Sequence, residues 1–341
     1  MGNEIMQKFP KRYDYLDNAK SFAMIMIVLG HCNLLSTHET LYSWVSSWHV
    51  PIYFIISGIL LALKEKRRGN LEYDIVKKLK VYMLPYIVFS VINMIVVGSL
   101  KAISDVQSGI VFVKEALLSI LAFNGRAACW FLPCLFIAEI VFLFEYKNLS
   151  KVIYLVNCFI AVLVVLCPES IYENYIFLRV LIRSIIGLFC ISIGYGLTKI
   201  NLEKYLNTFS MLLLIAIYGI LFRLNGRTAI YNLEFGEYEV LYLIEIVLGS
   251  LIIIGICKKV VNRNVPFLTW FGKNTIVTLA THQTILEVVW VVDSHTGNFL
   301  PILGSWQPFV LCIIMILIEI PVIYTCNRYL YFLFGKNRVL E

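Results

Sequence analysis

Apolar residues along this chain gather into long runs that begin near residue 21 and recur to residue 334, parted by short polar gaps. Runs of that length read as membrane-spanning helices. Ten are predicted, at residues 21–35, 44–63, 81–100, 130–146, 152–167, 175–197, 205–224, 239–257, 274–292 and 308–334. The first is short for a bilayer and borrows residues from the amphipathic stretch before it. Trp44 and Trp48 open the second as interfacial anchors, and Pro51 falls in a first helical turn, where its missing N–H costs nothing. Residues 73–82 read as a basic amphipathic helix leading into the third span. Residues 110–123 are apolar but interrupted, and the turn signal Asn124-Gly125-Arg126 follows. They are expected to form a re-entrant or surface-lying helix outside the span count. The predicted fold class is an all-α, polytopic transmembrane helix bundle, one domain over residues 1–341 with a lead-in at 1–20 and a tail at 335–341.

Composition excludes a soluble globule. Hydrophobic residues make up 60% of the chain and charged residues 15%, with a mean hydropathy of +0.80. The net charge of +7 would suggest a nucleic-acid partner only if its placement were ignored. Ten spans with both ends inside put 22 of the 29 Lys and Arg residues on one side. Five fall on the other (Lys101, Lys114, Arg126, Arg223, Arg227), and Arg179 and Arg183 fall within a span. That asymmetry makes both termini cytoplasmic. Residues 64–80, with seven basic side chains, mark that side most strongly. The lead-in carries no cleavage site for a signal peptide, so the first span is expected to stay. Nine cysteines without a CxxC pair form neither a disulfide framework nor a metal knuckle, and the five histidines lack metal-ligand spacing. No internal repeat of the kind that builds many transporters is visible.

The chemistry concentrates in YDYLDNAKSFAMIMIVLGHC, residues 13–32. On a helix Lys20 and His31, eleven residues apart, share one face about 16 Å apart along the axis, with Asp17 near the same stripe. An ionisable group inside a span is a functional candidate by default. Imidazole can take a proton from an alcohol, Asp17 could orient or stabilise it, and Lys20 at the membrane edge could hold a phosphate. The competing reading is a capping Asp, a snorkelling Lys and a packed His. His49 could touch an acceptor. Trp130 could stack on a sugar or anchor at the membrane edge. Arg179 and Arg183, one turn apart, could bind an anionic group or pair with Glu139 or Glu245. His38 and His295 read as loop residues.

The pattern resembles acyltransferase family 3, bacterial integral membrane proteins that modify sugars and other acceptors. The basic residue, ten positions and histidine of its first span are Lys20 to His31, after the lead-in Asp14-Tyr15-Leu16-Asp17. SWHVPIYFIISG, residues 47–58, matches its second-span motif, and Trp130-Phe131-Leu132 is similar to its Trp-Phe-Leu signature. The stretch from Gly272 to His282 is similar to a family stretch leading to a histidine. Lys77-Lys78-Leu79-Lys80 before Pro85 stands where the family usually has paired arginines. The resemblance implies O-acyl transfer, most simply O-acetyl transfer, from cytoplasmic acyl-coenzyme A to a hydroxyl of an extracytoplasmic or lipid-linked carbohydrate in a bacterial cell membrane. Lys20, Lys77 and Lys80 would hold the donor, and His31 would act as base with Asp17. His49, Trp130, Arg179, Arg183 and His282 would line the acceptor pocket. Acyl-coenzyme A would be a co-substrate, with no bound cofactor or metal. A homo-oligomer stays open, and the esterase-like extracytoplasmic domain fused to some relatives is not expected. The rival readings are a carrier or flippase for a lipid-linked glycan and a non-catalytic membrane sensor on the same scaffold.

Overall fold

A computed structural model describes residues 13–71, 74–146, 151–200, 207–259 and 265–335. The basic lead-in residues Lys8, Lys11 and Arg12 and the tail beyond Gly335 lie outside them. Thirteen longer helices are labelled in chain order: α1 Asp14–Leu29, α2 Glu39–Ser46, α3 Pro51–Arg68, α4 Ile75–Ser104, α5 Val106–Leu121, α6 Phe131–Tyr146, α7 Lys151–Val165, α8 Ile176–Lys199, α9 Thr208–Asn225, α10 Glu239–Lys259, α11 Pro266–Lys273, α12 Thr275–Thr296 and α13 Gln307–Tyr329. The described residues hold no strand beyond one isolated bridge, Ala229 to Glu234.

Nine helical stretches among the described residues are long and apolar enough to cross a bilayer. With α7, shorter at 15 residues, they fall where the ten predicted spans do. The protein is a multi-pass all-α membrane bundle.

Of three segments worth noting, the first follows expectation and the other two differ from it. First, α4 is a single helix of 30 residues, about 45 Å, that takes in both the basic stretch and the third span. Asp74 starts it by accepting from the Lys77 N–H at 2.9 Å, and its basic first turns are exposed. Second, Trp48 is no interfacial anchor. It is fully buried and stacks on Phe22 with ring centroids 5.8 Å apart.

Third, α5 neither lies on the surface nor stands apart from the spans. Asp105 caps its start, accepting from the Ser108 N–H at 2.8 Å, and α5 then folds back along α4. Gly109 meets Ala102, Gly98 meets Val113, and the Tyr86 hydroxyl donates to the Ile120 carbonyl at 2.6 Å. The chain breaks at Phe123 to Ala127, three of whose residues have positive φ, and continues in the same direction as α6. Together α5 and α6 make one broken descent antiparallel to α4. Non-helical backbone at membrane depth is tolerated only where protein or a cavity surrounds it. Here the break lines a cavity.

Glycine sets the closest approach in the core. A methyl on Gly58 of α3 would overlap the Ile191 carbonyl of α8, and one on Gly194 of α8 would overlap the Ile55 carbonyl of α3. With little hydrophobic force between helices in lipid, such small-residue contacts carry the packing. Gly58→Ala and Gly194→Ala are each expected to destabilise the bundle by about 1–3 kcal/mol, as overpacking does. Thermal unfolding in detergent would show it as a lowered midpoint. At the basic end, Glu65 of α3 accepts from Tyr146 at 2.9 Å and from Tyr195, and pairs with Lys199, so it ties α3, α6 and α8 together.

Candidate active site

The stripe on α1 forms as its spacing predicts. Lys20, Met24, Ile27 and His31, at intervals of four, three and four, all face internal cavities. Regular α-helix ends at Leu29, and Gly30–Leu34 make one π-helical turn in which Cys32 and Asn33 leave helical geometry. Asn33, at φ 66°, takes the left-handed conformation that Asn tolerates best among residues with a Cβ, and its amide donates to Gln307 at 3.0 Å. Wide turns of this kind gather at functional sites because they re-aim the side chains they carry. Here that side chain is His31, which lies within the bundle yet remains accessible because it faces open space.

At the basic end a cavity of about 350 Å³ is lined by four lysines, Lys20, Lys64, Lys78 and Lys273, against one carboxylate, Glu139. The rest of its wall is mainly apolar. Lys20 pairs with Asp17 at 2.6 Å. Glu139 is buried and holds three groups: Lys78 Nζ at 2.8 Å, the Tyr82 hydroxyl at 3.1 Å and the Ser57 hydroxyl. Lys77 and Lys80, the lysines expected to meet a donor, lie on the exposed side of α4, and the helix turns Lys78 inward instead. Asp17 is likewise a partner of Lys20. Fourteen residues, about 21 Å of helix, separate it from His31.

A second cavity, about 230 Å³, lies beyond the first and holds His31 and His49. Tyr53, Phe131 and Leu279 line both and form the wall between them. Tyr53 is fixed there by its hydroxyl, which donates to the Lys20 carbonyl at 2.7 Å, and by edge-on packing on Phe131. His49 Nδ1 lies 2.6 Å from the Val45 carbonyl and His282 Nδ1 2.6 Å from the Thr278 carbonyl. Each Nδ1 therefore carries the proton, and Nε2 is left as the acceptor. His282 is fully buried, its ring 5.4 Å from that of His31. The Gln283 amide nitrogen sits 2.9 Å from His31 Nδ1 and 3.1 Å from Nε2. A point in the ring plane that close to both nitrogens would collide with Cε1, so the amide lies over the ring face. It holds the imidazole while leaving the in-plane lone-pair direction open.

Arg183 does not line this cavity but sits behind its wall, against the lining residues Asn124, Trp130 and Tyr231. It is 1% exposed and pairs with neither Glu139 nor Glu245. Its guanidinium donates to Asn124 Oδ1 at 2.6 Å and to the Tyr231 carbonyl, and it lies 5.1 Å from the Trp130 ring and 4.7 Å from the Tyr231 ring. It therefore clamps the break between α5 and α6 to the loop after α9. Arg179 reaches that loop at the Asn232 carbonyl, at 3.5 Å. Trp130 is buried in the cavity wall against Tyr231. Arg183→Lys keeps the charge but loses the planar fork and the ring stacking. A loss of about 1.5–3 kcal/mol is expected from the charged hydrogen bonds, read as a lowered unfolding midpoint in detergent.

Sequence patterns brought His31, His49, His282, Trp130 and Lys20 to this site but missed Gln283, Tyr53, Lys78 and Arg126. Two of these had a usable signal: Gln283 adjoins His282, and Tyr53 stands one helical turn after His49 within the second-span motif. The span count puts Arg126 in an outer gap, whereas it lines the cavity beside His31. In a comparison with known families, a model described as an acyltransferase domain matches residues 13–325. No curated protein and no solved structure matches the chain.

Proposed function

The chain belongs to acyltransferase family 3, and from that membership we propose that it is a membrane O-acyltransferase of the bacterial cell membrane. It carries an acyl group, most simply acetyl, from acyl-coenzyme A on the cytoplasmic side to a hydroxyl of a carbohydrate on the other. The observation that carries this reading is the pair of cavities meeting at Tyr53, Phe131 and Leu279, lysines on one side of the wall and His31 on the other. A donor with phosphates at one end and a thioester at the other fits such a path. The lysine-lined mouth suits the phosphates, and the apolar channel suits the pantetheine arm.

In this mechanism the thioester carbonyl reaches the wall between the cavities from the lysine side and the acceptor hydroxyl meets it from the histidine side. A neutral His31 ring nitrogen takes the hydroxyl proton as the oxygen attacks the carbonyl carbon. The carbon–sulfur bond breaks, the sulfur takes the proton back from the imidazolium, and free thiol and an O-ester leave on opposite sides. Gln283 positions the ring. The surplus of Lys and Arg on the lysine side supports placing that side in the cytoplasm.

The test is release of free thiol from acetyl-coenzyme A by the protein in lipid nanodiscs with a panel of glycan acceptors. Acceptor-dependent release is expected. Movement of a glycan across the bilayer with no donor consumed would instead make the protein a carrier.

A further inference from the structure

A third cavity, about 500 Å³, reaches His31 from the far half of the bundle, between α4 and α12. Its wall contains Lys101 from the end of α4 and Arg126 from the break before α6, and both cations settle on one ring. Lys101 Nζ is 5.5 Å and the Arg126 guanidinium 4.3 Å from the centre of Phe112. None of the four ion pairs among the described residues includes either, and the buried Arg126 Nε has no hydrogen-bond partner. Glu287 is the single carboxylate in the wall, and it is exposed. Two cations held on one ring in a membrane protein, outnumbering the one carboxylate in the wall and ion-paired to none, form a site for an anion.

Directly along the same seam, toward the basic end, lies an apolar groove of about 420 Å³ between α4, α12 and α13, walled by Phe89, Ile92, Ile285 and Val322. Ile92 is 40% exposed, so the groove opens on the outside of the bundle. One hydrogen bond parts groove from cavity: Asn93 Nδ2, in the cavity wall, donates to Thr284 Oγ1, in the groove wall, at 2.9 Å. The seam thus runs from an apolar surface groove, past a single polar contact, to two unpaired cations and then to the candidate base.

We propose that this seam is the acceptor entrance and that the acceptor is a lipid-linked phosphate sugar. Its hydrocarbon chain lies in the groove, its phosphate binds between Lys101 and Arg126, and the attached sugar reaches His31. The proposal rests on the acyltransferase reading and deepens it by naming the acceptor as anionic and membrane-borne. A chain that points from the phosphate toward the bilayer middle follows the order of the two cavities along α4.

The probe is farnesyl phosphate, with farnesol and inorganic phosphate as its two halves, each assayed for saturable binding to the purified full chain in nanodiscs. Farnesyl phosphate should bind at least tenfold more tightly than either half. Lys101→Gln, at an exposed position, should weaken it severalfold, and Lys101→Gln with Arg126→Gln at least tenfold. Arg126→Lys, which keeps the charge, should retain most of it. Equal binding of inorganic phosphate would assign the site to soluble anions. An absence of saturable binding, or binding indifferent to Lys101→Gln, would overturn the entrance whether or not thiol release is seen. Binding that behaves as expected in a protein that releases no thiol would instead count against the acyltransferase reading.

Discussion

His31→Gln will lower acceptor-dependent thiol release by about 10²–10⁴-fold, the range general-base catalysis contributes, while the bundle stays folded. Glutamine has nearly the reach of histidine and keeps hydrogen-bonding atoms, but its amide cannot take up a proton at neutral pH. The variant therefore removes one function and little else. His31 makes its described polar contact with Gln283 alone and faces open cavities, so no buried partner is stranded by the change. Asp17→Asn is the contrast. Asp17 pairs with Lys20 far from His31, so its loss should raise the KM for the donor more than it lowers kcat. Steady-state kinetics of the three proteins, with unfolding midpoints in detergent as the folding control, separate these roles. A kcat for His31→Gln within threefold of the natural protein would remove His31 as the base.

How far the site could be read from the sequence follows from what a membrane helix reveals of its own rotation. On α1 the polar residues Asp17, Lys20 and His31 interrupt an apolar run, and their spacing defines a face. The stripe through Met24 and Ile27 then follows from helix geometry alone. At the start of α4 three of four residues are lysines, so the sequence has no phase to read. Which lysine turns inward is set by Glu139, 61 residues later, and by Tyr82. The broken descent was hidden for another reason. Hydropathy reads unbroken apolar length, and Lys114 and Glu115 interrupt the apolar run of α5, so its continuation through Asn124-Gly125-Arg126 into α6 appears only when both pack along α4. Arg126 was misplaced with it. Arg183 was visible as a buried charge in need of partners, but these proved to be an amide, a carbonyl and two rings.

The wall between the two cavities yields the second large effect. If the acyl group passes from the lysine cavity to His31, it must pass Tyr53, Phe131 and Leu279. Tyr53 is tethered to α1 through the Lys20 carbonyl, and Phe131 packs edge-on against both Tyr53 and Phe54. Leu279 makes no directional bond. It is the wall residue whose size can be changed with least disturbance, and open volume lies on both sides to receive a larger side chain. Leu279→Trp should block the passage and cut thiol release at least a hundredfold. Leu279→Met, which conserves volume, should cost little, since such swaps are usually worth under about 1.5 kcal/mol. The informative readout is donor binding. A blocked passage leaves the lysine mouth intact, so labelled coenzyme A should bind Leu279→Trp within a few-fold of the natural protein although turnover is lost. If Leu279→Trp turned over normally, the thioester would have to reach His31 by another route, and the two cavities would be separate sites.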